Sequence, residues 1–292
     1  MKYFFIILLL TSAITASAQV DHVNDIRSFT PSVLLNKKHW EYKMFNNLYS
    51  QTSNFNLEGR RINNNERSSY FTSINQFLYG ISDKINIGAD IWIKSVRLDD
   101  VSSSPFEIFR FENDSNNRTA LTGIGPKVKF SPLKKLPGLS VQSTFLFPIA
   151  KDEEGKTNGK PYLSEDSFIW ITQIFYDQPI GNKFQLFFQI APWVYVKKTK
   201  PEHSVSRLSY SNPVSIFLSY YATPRLTFYL QNEWWPSFGS GGISSWFWQE
   251  GIGMKIQLIK GLMEAEASYT RFIMGKNSGA GETYNLGLRL IH

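Results

Sequence analysis

The C-terminal stretch decides the fold: residues 281–292 read GETYNLGLRLIH. Every even-numbered residue from Tyr284 to Leu290 is apolar, and the residues between them are Asn285, Gly287 and Arg289. Because successive side chains of a β-strand point to opposite faces, this segment has one apolar and one polar face. Such a strand is typical of the wall of a transmembrane β-barrel, which has lipid on one side and a polar interior on the other.

The same alternation recurs along the chain in about twelve stretches of roughly ten to sixteen residues. We therefore predict an all-β fold, an antiparallel transmembrane β-barrel of about twelve strands. The predicted strands cover residues 39–53, 67–81, 85–98, 119–130, 138–150, 165–177, 183–198, 207–222, 225–235, 244–258, 262–275 and 282–292.

The predicted connections alternate between short and long. Short turns rich in turn-forming residues occupy 82–84, 131–137, 178–182, 223–225 and 259–261. The longer polar connections are Asn54 to Glu66, Asp99 to Arg118, Lys151 to Ser164 and Thr199 to Ser206, followed by shorter Gly-rich ones at 237–243 and 276–281. In outer-membrane barrels short turns face the periplasm and long loops face outside. We therefore expect both termini on the periplasmic side, which requires an even number of strands.

The N-terminus predicts export. Lys2 precedes an apolar run from Phe4 to Leu10 and a small-residue site at 16–18, which together indicate a signal peptide covering residues 1–18. Residues 19–38 are interpreted as a periplasmic lead-in and residues 39–292 as the barrel. The chain has no cysteine, so we expect neither an acylated N-terminal cysteine nor disulfides.

Composition agrees with a barrel in a bilayer. Aromatic residues make up 15% of the chain and hydrophobic residues 42%, while the mean hydropathy is -0.24. A barrel wall shows lipid only every second residue, so average hydropathy stays low. A secreted β-sandwich is the alternative with similar periodicity, although its strands are usually shorter.

Side-chain parity sorts most strands into two faces. Apolar residues at every second position of 85–93, 184–190 and 252–258 are predicted to face lipid. Trp234, Trp246 and Trp248 flank one predicted outer loop and suggest an aromatic girdle, with a sugar-stacking platform as the alternative. The strands at 67–81 and 165–177 are apolar on both faces, so parity does not orient them.

The opposite face carries mixed charges, which we predict to line the interior because charge facing lipid is costly. These side chains either fill and rigidify a narrow barrel or select solutes along a pore. Glu264 and Glu266 lie on the strand between those of Lys255 and Arg289, which predicts a cross-strand ionic ladder. The candidates are Glu41, Lys43, Asp90, Lys94, Lys127, Lys129, Glu233, Lys255, Glu264, Glu266 and Arg289.

The chain is basic, with a net charge of +7 and a sequence pI near 9.3. Basic loops would attract lipopolysaccharide phosphates or anionic solutes. Nucleic acid is a poor partner for this chain, because the positive charges are scattered and no recognition motif is present. The expected partners are outer-membrane lipids, lipopolysaccharide, the barrel-assembly machinery and a small solute.

Motifs for catalysis are absent: the chain has no nucleophile elbow, phosphate-binding loop or zinc-binding His pair. A barrel-embedded lipase needs a His and a Ser in contact, and the local candidate is His203 with Ser204 and Ser206. Asp99, Asp100 and Asp114 share one predicted loop but follow no Ca²⁺-binding consensus, so a solvated acidic loop is favoured. We predict a protein that is not an enzyme and has no cofactor or bound metal.

A family resemblance covers nearly all of the mature chain. Residues 104–106 (SPF), 118–127 (RTALTGIGPK), 275–281 (GKNSGAG) and 284–289 (YNLGLR) resemble a bacterial outer-membrane β-barrel family of proposed transporters, including phenol-degradation-pathway-like porins and uncharacterised outer-membrane proteins. The resemblance implies an outer-membrane barrel. The chain departs from the usual assembly signal, because it ends in His292 and not in an aromatic such as Phe.

Together these patterns predict a single barrel in the bacterial outer membrane, passing a small solute by passive diffusion. The alternative is a closed barrel that serves as a scaffold or surface interaction protein through its long loops. A lipid-modifying enzyme is the third hypothesis.

Overall fold

The computed structural model describes residues 26, 30–133, 135–157, 159–198, 207–239 and 242–292. The predicted signal peptide and the candidate residues His203, Ser204 and Ser206 lie outside these residues. Within the described ranges, no helix is both long enough and apolar enough to cross a membrane.

The predicted fold class is confirmed: the protein is an antiparallel, closed barrel of twelve strands. Each predicted strand has a counterpart, and the largest difference is at the second strand, which begins at Arg61 and not at residue 67. The strands are β1 Trp40–Phe55, β2 Arg61–Ser82, β3 Ile85–Asp99, β4 Asn117–Phe130, β5 Leu139–Pro148, β6 Ser167–Ile180, β7 Phe184–Ile190 with Trp193–Lys197, β8 Leu208–Ser211 with Val214–Thr223, β9 Leu226–Gly239, β10 Gly242–Ile259, β11 Met263–Lys276 and β12 Glu282–Ile291. A 3₁₀ helix, Pro105–Arg110, lies between β3 and β4.

The barrel closes where β12 pairs with β1, from Glu41 opposite Ile291 to Ser50 opposite Glu282. The terminal residue takes part in the closure. The backbone N–H of His292 donates to the Trp40 carbonyl at 2.9 Å, and the Trp40 N–H donates to the His292 carbonyl at 2.8 Å. The His292 ring stacks on Trp40 with the ring centres 5.8 Å apart. The His292 ring therefore packs against Trp40 at one end of the seam between β1 and β12.

Two strands predicted as continuous are each divided at a proline. β7 breaks before Trp193 at Pro192, and β8 breaks before Val214 at Pro213. Proline has no N–H to give to a neighbouring strand, which locally ends the ladder. Backbone hydrogen bonds still join the strands at each break. The Thr172 N–H donates to the Pro192 carbonyl at 3.0 Å, and the Ala191 N–H donates to the Pro213 carbonyl at 2.9 Å.

The predicted bounds of the first outer loop are wrong. Residues 54–66 were expected to form a long polar loop, but β1 extends to Phe55 and β2 begins at Arg61. Polar side chains stabilise this longer hairpin: Asn64 donates to the Asn54 side chain at 2.9 Å, and Asn56 accepts the Arg60 N–H at 2.8 Å. Polar composition here indicates a hairpin extending beyond the apolar wall.

The two strands that parity left unoriented now have defined faces. On β2, Phe77, Tyr79 and Ile81 point outward and are 38 to 47% exposed. On β6, Trp170 points outward, whereas Ile169 and Ile171 are buried in the interior beside Trp92. The apolar inward face of β6 packs against other interior side chains, which explains why its sequence is apolar on both sides.

Candidate functional site

Four charged side chains and one amide, from five strands, meet inside the barrel in what we call the ionic network: Glu41, Gln76, Asp90, Lys127 and Arg289. Arg289 donates to Glu41 through two nitrogens, at 2.5 and 2.7 Å. Gln76 donates to Glu41 at 3.2 Å and accepts from Lys127 at 2.5 Å. Lys127 pairs with Asp90 at 2.6 Å. Two ion pairs, joined by the Gln76 amide, therefore span the strands from β12 to β4, and each charge is held by an opposite one.

A second charged group lies on β9 to β11. Lys255 pairs with Glu266 at 3.6 Å, and Glu266 also accepts from the Tyr229 hydroxyl at 2.6 Å. The ladder predicted for these strands is more extended than expected, because Arg289 lies opposite Glu264 in register and also binds Glu41 of β1.

The remaining predicted interior residues lie at different positions along the barrel axis. Lys43 lies opposite both Arg289 and Gln76, beside the ionic network. Glu233 accepts from Ser215 and from Gln249, each at 2.6 Å. Lys94 lies nearer the long-loop end and donates to Ser164 at 2.7 Å. The residues named from sequence therefore form several groups along the interior.

The N-terminal segment, residues 26 and 30–38, follows the inner wall across the short-turn end of the barrel. Ile26 is 3% exposed and its N–H reaches the Pro224 carbonyl at 3.2 Å. Thr30 donates to Asp177 of β6 at 2.6 Å, and Ser32 also binds this carboxylate. Lys129 of β4 donates to the Val33 carbonyl. The segment thus occupies the mouth of the barrel before it enters β1.

Asn86 of β3 holds the same segment at a second place. Its side-chain oxygen accepts the Leu35 N–H at 2.8 Å, and its side-chain nitrogen donates to the Leu35 carbonyl at 3.0 Å. Asn86 is fully buried. Sequence reasoning missed Asn86 and Asp177, since a single polar residue on an alternating strand carries no sign of its partner.

At the other end, the β5–β6 loop, residues 149–166, folds into the interior. Arg118 of β4 donates to the Asp152 carbonyl at 2.9 Å and to that of Glu153. Glu153 is 1% exposed, and its N–H donates to Asp166 at 3.0 Å. The contact of Lys94 with Ser164 adds a third attachment. This loop narrows the barrel from the side opposite the N-terminal segment.

Burial raises the pKa of Glu153 to about 7, against the opposing effect of nearby Lys94. Asp166 adds to the increase and Lys198 reduces it. Because burial disfavours the charged carboxylate, Glu153 stabilises the folded-in position of the β5–β6 loop when its side chain is neutral. This stabilisation of the loop is complete when the pH is below 4.5, the ordinary pKa of a glutamate, and it is lost as the pH rises through about 7.

We therefore expect the β5–β6 loop to loosen between pH 5 and pH 8. A nitroxide attached at Thr157→Cys, on an exposed part of the loop, would become more mobile across this range. The same label in a Glu153→Gln background should show little pH dependence, because the amide stays neutral. Equal pH dependence in both proteins would contradict the role given to Glu153.

A row of interior rings, the aromatic belt, lies toward the long-loop end. Trp193 contacts rings on strands that are not its neighbours, so these contacts form across the interior. Trp235, Phe247 and Phe272 stand on the adjacent strands β9, β10 and β11. Trp193 of β7 lies 5.7 Å from Trp92 of β3 and 5.5 Å from Trp235 of β9, measured between ring centres. The belt continues through Phe247, Phe272 and Tyr49, at 5.8, 4.1 and 5.0 Å. Parity could have placed these rings inside, but sequence reasoning gave attention only to Trp234, Trp246 and Trp248.

The acidic residues of the β3–β4 loop serve local structure. Asp99 binds Arg97 at 2.8 Å and Ser103 at 2.6 Å. Asp114 accepts from Asn116 and Asn117. Among the residues that the structure describes, no group of three or more His, Asp or Glu side chains is arranged to hold a metal ion.

No protein-family profile and no curated protein matches the chain. Solved structures do. The COG4313 outer membrane channel from Pseudomonas putida F1 is 10% identical with a TM-score of 0.64, over 90% of this chain and 98% of that one. The β domain of the Bordetella autotransporter BrkA is 12% identical with a TM-score of 0.52, over 87% of this chain and 99% of that one.

The first of these structures is an outer membrane channel, and each of the two is matched over nearly its whole length. At these identities the likeness concerns the fold. The narrower resemblance to phenol-degradation-pathway-like porins stays a prediction. The chain therefore folds as an outer-membrane-type β-barrel whose interior is polar and charged and whose two ends are narrowed by its own segments.

Proposed function

We propose that this protein is an outer-membrane channel for passive passage of a small solute, and that the N-terminal segment holds it in a closed state. The observation that carries this proposal is the charged interior, where side chains of five strands form the ionic network. Burying charge is costly unless it is paired or hydrated, so a barrel built only to hold loops would be more simply filled by apolar side chains.

The route would run through two different surroundings. A solute entering from the long-loop end would pass the aromatic belt and then the ionic network before it reached the N-terminal segment. Rings offer flat apolar contact and the charges offer orientation, which together would favour small solutes over bulk electrolyte. Location in the outer membrane is part of this proposal and is supported by the fold of the similar channel. Export by the predicted signal peptide is also part of the proposal.

A second candidate function is a closed barrel that acts as a scaffold through its loops. The observation in its favour is that the interior charges are hydrogen-bonded or paired and tightly packed: Glu41, Asp90, Lys127 and Lys129 are each 5% exposed or less. In that case the ionic network would serve stability alone.

Single-channel recording from the refolded mature protein in a planar bilayer tests the proposal. We expect discrete conductance steps that are small while the N-terminal segment is in place and several-fold larger after its removal. We also expect a reversal potential under a salt gradient that shows weak anion preference, because the predicted interior residues comprise six cations and five carboxylates. A folded, inserted and electrically silent barrel, including after removal of the N-terminal segment, would favour the scaffold.

A further inference from the structure

The β3–β4 loop, residues 100–116, folds outward. Its 3₁₀ helix Pro105–Arg110 is capped by Ser104, whose hydroxyl accepts the Phe106 N–H at 3.3 Å. Phe109 contacts Phe71 of β2 with ring centres 5.2 Å apart, and Phe106 contacts Tyr284 of β12 at 5.3 Å. Phe71 and Tyr284 belong to the outward face, since Phe77 and Leu286, on the same faces of their strands, are 47 and 60% exposed.

The loop covers part of the outer wall while leaving its own rings uncovered. Leu48 of β1, between the wall residues that the loop contacts, and Ile108 of the loop itself are each 2% exposed. Phe106, Phe109 and Phe111 are 52, 44 and 48% exposed. Three large apolar rings on one short loop form a surface that water does not favour.

The height of the loop on the wall indicates what covers these rings. On β3 the outward residues change from Ile91 and Ile93, 40 and 37% exposed, to Ser95 and Arg97. Phe71, which the loop contacts, lies opposite Ser95 in register. Arg97 binds Glu112 of the same loop at 2.5 Å. The rings therefore lie where the apolar band ends and charged groups begin, a level that aromatic side chains favour in membranes.

We propose that residues 101–111 form a lipid-contacting wedge whose three phenylalanines insert among the acyl chains of the outer leaflet. The exposed Arg110, paired with Glu107 at 2.7 Å, would remain at the headgroup level. This inference rests on the membrane location that is part of the proposed function, and it is independent of whether the interior conducts.

The absence of native cysteine allows a direct test. Phe109→Cys, labelled with a nitroxide and reconstituted in vesicles of phosphatidylethanolamine and phosphatidylglycerol, should collide with oxygen more than with a water-soluble nickel chelate. Ile252→Cys, at a wall position that is 63% exposed, gives the lipid reference. Leu57→Cys, at a hairpin tip and also 63% exposed, gives the aqueous reference.

The outcomes separate the two proposals. Oxygen-dominated collisions at both Phe109 and Ile252 support the wedge. Nickel-dominated collisions at Phe109 with oxygen at Ile252 overturn the wedge and leave the membrane location standing. Water contact at both positions overturns both. Shielding from both reagents at Phe109, with spin–spin broadening, would mean that a second copy covers the rings, which also overturns the wedge.

A second measurement does not depend on a label in the loop. Replacing Phe106, Phe109 and Phe111 by Ser should lower the urea concentration at half unfolding. The decrease should be larger in these vesicles than in detergent micelles, because a micelle adapts its shape to the loop. Equal shifts in the two media would contradict insertion into a bilayer.

Discussion

Removing residues 19–36 is expected to raise the single-channel conductance several-fold. The N-terminal segment occupies the short-turn mouth through contacts with Asp177, Lys129 and Asn86. Without it the same wall residues would face water, and the narrowest remaining point would be the β5–β6 loop at the opposite end. Asn86→Ala should give a smaller increase, because it removes two of the hydrogen bonds of the segment.

Asp83→Ala is the matched control. Asp83 also accepts a hydrogen bond from the segment, from the Lys37 N–H at 3.0 Å, but it lies in the exposed turn between β2 and β3. The conductance of the Asp83→Ala variant should stay near that of the parent protein. A shortened chain that folds, inserts and conducts no better than the full chain would show that the segment does not close the path.

Glu41→Gln is expected to lower the free energy of unfolding by about 3 kcal/mol, the lower end of what is found when one partner of a buried ion pair is removed. Arg289 and Glu41 have side chains only 8 and 5% exposed, and their contacts are 2.5 and 2.7 Å long. The neutral amide would leave the guanidinium buried beside a weaker acceptor. Urea unfolding of the two proteins in lipid vesicles measures the difference.

Glu266→Gln provides the comparison for this effect. Its partner Lys255 is 3.6 Å away, and their side chains are 18 and 15% exposed, so water and the Tyr229 hydroxyl can replace part of the interaction. We expect the loss to be smaller than for Glu41→Gln. An equal or larger loss at Glu266 would mean that the Arg289 pair is not the main electrostatic support of the interior.

The wall of the barrel could be predicted from sequence because its signal is local. Alternation every second residue assigned strands such as Ile85–Asp99 within a residue, and tight turns fixed where they end. The breaks in β7 and β8 were missed although Pro192 and Pro213 mark them, since apolar alternation continues on both sides of each proline.

The interior was predicted less completely, because its partners are distant in the sequence. Parity indicated that Glu41 and Arg289 share one face, but their pairing depends on how β12 closes on β1. The anchoring of Leu35 by Asn86 joins residues 51 positions apart, and no local pattern foretells it. The direction in which each long loop folds is set by contacts such as Arg118 with Asp152, which also lie beyond local patterns.

The central claim is that the interior is a path closed by the N-terminal segment, and one channel observed in two states tests it most directly. Ser32→Cys and Asp177→Cys replace two side chains that touch, so a short cleavable thiol cross-linker would fix the segment in the mouth. Our account predicts little conductance while the link is intact and a several-fold rise when a reducing agent cuts it in the same bilayer. Conductance that is the same before and after cutting would contradict it.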